Sequence, residues 1–185
     1  MAFLARLRNE TGGSALLEFA IVLPLLVVFI VGIYDFSGAF NQKQKIEHAA
    51  QLGAISAAAQ PMTDIDPLNA NPDSLQPVVA VIFNSLQADN VLPQGICATP
   101  PGTKVGPLKW QFSIPCGTDP LIITIDRGSA VAVTTDPTKT TVSTAVNVSY
   151  PYHWKFNSVI QLLVPGASYA ATTDLNETAT VYNQM

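Results

Sequence analysis

The sequence predicts an α+β protein: a long N-terminal transmembrane helix continuing into an extracytoplasmic head with a second helix and an antiparallel β-sheet. Three observations carry this. An apolar run fills Ala15–Tyr34, apolar residues then recur at three- and four-residue spacing up to Pro61, and the C-terminal half changes to a period of two. Helices repeat a face every 3.6 residues and strands every 2, so the change of period marks where helix gives way to sheet.

The membrane helix follows from composition. Of the 185 residues, 48% are hydrophobic and 12% charged, against about 25% charged in an ordinary soluble protein. The excess is concentrated in Ala15–Tyr34, where Glu18 is the only charged residue. Roughly 20 apolar positions suffice for a helix to cross the hydrocarbon layer. Arg6 and Arg8 precede the run, whereas Asp35 and then Lys43, Lys45 and Glu47 follow it. The positive-inside bias is weak, with two basic residues on each side, and favours a cytoplasmic N-terminus and a head outside the cytoplasm.

Past the membrane, Ile33, Phe36, Phe40, Ile46, Ala49, Ala50, Gly53, Ala54 and Ala57 keep helical spacing until Pro61. One helix from about Ser14 to Gln60 is expected, on the order of 70 Å long. Its small-residue face fits close packing against a sheet or another helix. Pro24 falls inside the span, where it removes a backbone hydrogen bond and introduces a local irregularity.

Pro61–Asp73 reads as a turn region. Asp64, Asp66, Asn69, Asn71 and Asp73 alternate in the manner of a calcium loop, but the glycine and terminal glutamate of such a loop are missing and Pro67 and Pro72 intrude. Asp73 or Ser74 is placed to cap a second helix, whose apolar face is Leu75, Val78, Val79, Ile82 and Leu86 and whose end is near Asp89-Asn90.

Alternation then predicts strands at Lys109–Ile114, Leu121–Asp126 and Val142–Tyr150, and a last strand at about Ser168–Tyr182. Asp126-Arg127-Gly128-Ser129 and Asp136-Pro137-Thr138-Lys139 carry turn chemistry, which predicts two successive hairpins, a meander. Asn157–Val164 reads as a short helix or apolar loop ending at Pro165-Gly166.

Cys97 and Cys116 are the only cysteines, both in the exported part, where an oxidising compartment lets them pair. No metal site is expected, because two cysteines at this spacing lack partners and His48 and His153 fit no ligand pattern. No cofactor is expected. The chain lacks a nucleophile elbow, a His-Glu-x-x-His helix and a phosphate loop, so an enzyme is not expected either. Acidic residues outnumber basic ones past residue 41, and no basic stripe with interleaved aromatics is present, which disfavours a nucleic-acid partner.

The most specific signal stands at the head of the apolar run: Gly12-Gly13, then Ser14, then Glu18-Phe19. An ordinary secretory signal puts its small-residue cleavage site after the apolar core, whereas this Gly-Gly lies before it. Cutting at Gly13-Ser14 would leave the membrane helix on the mature protein. The pattern resembles the class III signal of type IV pilins and pseudopilins, with Glu18 as the fifth mature residue. Ala15 to Leu26, including Pro24, together with Gln51-Leu52-Gly53-Ala54, is similar more narrowly to the TadE-like minor pilins of tight-adherence (Tad) systems.

What the resemblance implies is a leader at 1–13, a transmembrane helix at 14–34, a helical extension at 35–60 and a head at 61–185. It further implies cleavage at Gly13-Ser14 by a prepilin peptidase and recognition through Glu18 and Phe19. Its partners would be the major pilin, other minor pilins and the pilus assembly machinery. The protein would reside in the bacterial inner membrane, its head periplasmic, and reach a surface pilus after assembly. The expected role is adhesion, surface attachment and biofilm formation. The alternative is a membrane-anchored periplasmic binding or scaffold protein that is not polymerised.

Overall fold

The computed structural model describes residues 11–66, 68–95, 97, 100–133, 136–156, 161, 166 and 172–183. The expected short element at Asn157–Val164, the start of the last strand and the residues Arg6 and Arg8 lie largely outside these. Helix α1 (Thr11–Ala59) runs 49 residues and contains Pro24. It takes in Gly12 and Gly13, ahead of the expected start near Ser14. Helix α2 (Leu75–Ala88) follows, and then five strands: β1 (Thr103–Gly106), β2 (Lys109–Cys116), β3 (Asp119–Val133), β4 (Asp136–His153) and β5 (Thr172–Tyr182).

The chain divides into two compact units, residues 1–39 with 153–171, and residues 40–152 with 172–185. The second unit holds the core. Its sheet has the order β1-β2-β3-β4-β5, the expected meander with β1 added at one edge. Strands β1 to β4 pair antiparallel. Thr144 bonds Asn183 while Asn147 bonds Asn176 and Thr178, so β5 runs antiparallel to β4 as well.

Alternation works as expected over most of the covered face, while Val142, at the head of the expected run in β4, is exposed. Trp110, Phe112 and Ile114 of β2, Leu121, Ile123 and Ile125 of β3, and Val146, Val148 and Tyr150 of β4 are buried. They form one core with Leu75, Val78, Val79, Ile82 and Leu86 of α2 and with Ile46, Ala49, Ala50, Ala54 and Ala57 of α1. The small residues of α1 allow close approach: a Cβ on Gly53 would lie 2.5 Å from Ile82 Cδ1 and 3.3 Å from Val146 Cγ1. The upstream members of the expected stripe do not join it. Ile33, Phe36 and Phe40 are exposed, and Asp35 and Ala39 are the buried positions on that stretch.

Both expected turns are misplaced. β3 continues through Asp126-Arg127-Gly128-Ser129, and Asp136-Pro137-Thr138-Lys139 lies in β4. The Asp-Gly chemistry serves a bulge instead, since the β3–β4 register shifts between Asp126 and Ser129. Gly128 N–H donates to Asp126 Oδ1, and Arg127 N–H reaches the Leu108 carbonyl at 2.8 Å. A Cβ on Gly128 would meet Leu108 Cδ1 at 2.7 Å, so the glycine permits a close crossing rather than a chain reversal. The β2–β3 reversal occurs at Gly117, with φ 77°, between Cys116 and its partner Asp119.

The cap of α2 also differs in its chemistry. Ser74 is the N-cap residue but its side chain makes no capping bond. Its backbone N–H instead donates to Asp64 Oδ2 at 2.7 Å, so a carboxylate ten residues upstream serves the helix start. Asp66 and Asn69 accept from the N–H groups of Leu68 and Asn71, the local bonding of turns.

Candidate functional site: the N-terminal helix and the head it carries

Leu, Val and Ile dominate α1 from Ala15 to Tyr34, and the chain's own residues bury none of its most apolar stretch. In a water-soluble fold such a surface would be hidden. Length and composition make α1 sufficient to cross a membrane, and a single helix of this kind is compatible with a single-pass anchor.

At its start, Gly13 is exposed and a Cβ there would meet nothing within 4 Å. Glu18 and Phe19 are exposed on the same helix. Positions 14 and 18 are four apart, one turn along one helix face. Gly13, Glu18 and Phe19 thus lie within two turns of one another at the N-terminal end of the apolar run. Cys97 and Cys116 lie in the other unit and are joined in a disulfide with Cα atoms 4.4 Å apart. It ties the segment after α2 to the end of β2.

Residues that the sequence singled out weakly or not at all gain roles in the structure. Asp35, noted only for its charge, is 1% exposed, and its carboxylate accepts the backbone N–H of Phe156 at 2.7 Å. Phe36 stacks edge-on against Trp154, ring centroids 5.2 Å apart. In the other unit, Lys43 of α1 pairs with Glu177 of β5 at 3.2 Å. Arg127 is fully buried; its guanidinium donates to the Gln60 carbonyl at 3.0 Å and rests on Met62 Sδ. No period or motif announces these partners, because each joins residues far apart in the chain.

Burial works to raise the Asp64 pKa, but the hydrogen bond from the Ser74 backbone N–H and the nearby Arg127 charge outweigh it and hold the carboxyl below its ordinary value. Burial, with the Asp119 charge, raises the Tyr150 hydroxyl. On the solvent face of the sheet, Lys109, Gln111, Thr124, Asp126, Asn147 and Thr178, together with Val105 and Ala145, line an open groove of mixed polarity. Among the described residues, no group of three or more His, Cys, Asp or Glu side chains is arranged to hold a metal ion.

Residues 13–54 match the family model described as TadE-like protein. The match begins at Gly13 and ends at Ala54, and so takes in the exposed apolar span and the small-residue face of α1 around Gly53. No curated protein and no solved structure matched the chain.

Proposed function

We propose, from the TadE-like match at residues 13–54, that the chain is a minor pilin of a tight-adherence system. A prepilin peptidase cuts it between Gly13 and Ser14, and it joins or initiates an adhesive pilus used in surface attachment and biofilm formation. The observation that carries the reading is the coincidence of that match with a helix whose apolar surface its own chain leaves uncovered. Such a surface is satisfied by lipid before assembly and by neighbouring pilin helices afterwards.

Glu18 has a physical task in this scheme. A carboxylate inside a span costs about 2.5–3.5 kcal/mol by insertion scales and is retained where it has a partner. Cleavage before Ser14 creates an α-amino cation one helical turn away. In a stack of such helices the Glu18 of one subunit neutralises the Ser14 amine of the next and fixes their vertical register. On this reading residues 1–13 are the leader, 14–34 the span and 61–185 a periplasmic head, with the N-terminus cytoplasmic. The major pilin, other minor pilins and the assembly machinery are the partners.

The open groove on the sheet favours a second reading, a membrane-held binding protein that is never polymerised. N-terminal sequencing of the protein purified from membranes separates the two. The pilin reading expects a chain beginning at Ser14, and Gly13→Ala is expected to insert but stay at precursor size, because glycine lets a peptidase approach the backbone closely. An intact leader on the wild-type protein from cells that make the peptidase would remove the pilin reading.

A further inference from the structure

The end of the membrane span has a second piece of chain packed on it. The apolar run ends at Tyr34, so a hydrocarbon layer of about 30 Å, crossed at 1.5 Å per residue, has its boundary at Asp35 and Phe36. A carboxylate at that level is costly if it faces lipid. Asp35 does not face outward: it is 1% exposed and accepts the N–H of Phe156. The Phe156 ring lies over Gly32, 3.8 Å from where a Cβ would stand, and Trp154 packs on Phe36. His153–Phe156 accordingly belongs to the same compact unit as the helix up to Ala39. Between the two aromatics, Lys155 is exposed, as is Tyr34 on the helix itself.

Tryptophan and tyrosine collect at the headgroup layer because one end of each ring is apolar and the other hydrogen-bonds, and lysine there meets lipid phosphate. We propose that His153–Phe156 is an interfacial membrane anchor. Trp154 and Phe156 enter the headgroup and acyl boundary of the leaflet at the Tyr34 end of the span, and Lys155 contacts the phosphates. The partner is a phospholipid bilayer with anionic headgroups. Lipid is favoured over a protein because this patch is continuous with a span already suited to lipid, and its aromatic and basic residues lie at the one depth where a bilayer selects them. The inference rests on Ala15–Tyr34 crossing the membrane but not on cleavage or polymerisation.

The chain has two tryptophans, and Trp110 is buried in the sheet core. The full-length protein is reconstituted into phosphatidylcholine vesicles containing phosphatidylglycerol, with acyl chains brominated at a shallow or at a deep position. Emission quenched in the wild type but not in Trp154→Phe belongs to Trp154. The expected result is loss of that share with shallow bromine and little loss with deep bromine. As a measurement independent of that variant's folding, a nitroxide at Lys155→Cys should relax faster when the vesicles carry a gadolinium-chelating headgroup lipid. Protein that floats with the vesicles but shows neither effect overturns the anchor and leaves the span standing. Dominant quenching from the deep position overturns it too, and protein that does not float overturns both.

Discussion

Gly53 is where a single hydrogen atom decides the packing of the head. A Cβ there would press on Ile82 Cδ1 and Cγ1 at 2.5 and 2.6 Å, and both belong to a buried side chain with nowhere to swing. Gly53→Ala is expected to destabilise the folded chain by about 1–3 kcal/mol, the usual penalty of overpacking. Adding Ile82→Val should recover part of that loss, and thermal melts of both variants in detergent read the coupling. Asp64 gives a prediction in pH. Its folded pKa lies below the ordinary 3.8, so its contribution to stability is complete above that value and is lost as the pH falls through the folded pKa. Asp64→Asn should lower the melting temperature at neutral pH and flatten the acid limb; an unchanged limb would show that Asp64 does not link α2 to the pH. At this scale the sequence is partly transparent. Gly13 and Glu18 can be singled out as candidates because motif and apolar run are adjacent. Asp35 and Arg127 do not, since burial beside Phe156 and Gln60 is settled by tertiary contacts.

Elements built from long periodic runs were legible, and their junctions were not. The apolar face of α2 is buried residue for residue as its spacing predicts, and its end at Asp89-Asn90 agrees with the C-cap. The meander order also follows, because alternating strands joined by short connections pair with their neighbours. The turns failed for a specific reason: Asp-Arg-Gly suits a reversal and a bulge equally well, and the close crossing of Gly128 by Leu108 selects the bulge. β1 escaped because a strand of four residues is too short to show a period. The disulfide was foreseen from compartment and count, and it closes a loop with a sequence separation of 19. Thiol labelling under denaturing, non-reducing conditions should find neither Cys97 nor Cys116 free. Replacing both by serine should cost roughly 3 kcal/mol in the loop-entropy account, read as a lower unfolding midpoint. Stoichiometric labelling of both thiols in protein from the native envelope would exclude the bridge.

Taken whole, the chain spends its apolar residues in two places that obey different solvents. The head hides them between helices and sheet, whereas the chain leaves those of Ala15–Tyr34 uncovered. Fibre assembly would exchange a covering of lipid for one of other helices, and apolar contact alone gives little direction to that exchange because lipid tails are as apolar as leucine. A specific pair is needed to set the register, which is the task proposed for Glu18 and the Ser14 amine. Glu18→Ala tests it at the scale of the molecule. Insertion and processing should be normal, since the change makes the span more apolar and cheaper to insert. Assembly should fail nonetheless, because the Ser14 cation would enter the helix stack without its partner, and removing one member of a buried pair costs about 3–5 kcal/mol. A membrane-held binder would keep its fold and ligand through the same substitution. The measurement is the protein recovered in sheared surface fibres, or in crosslinks to other pilins, from wild type and variant at equal membrane abundance. Equal recovery would mean that the register is set elsewhere on α1, and the small-residue face near Gly53 would not serve, since the protein's own core already occupies it.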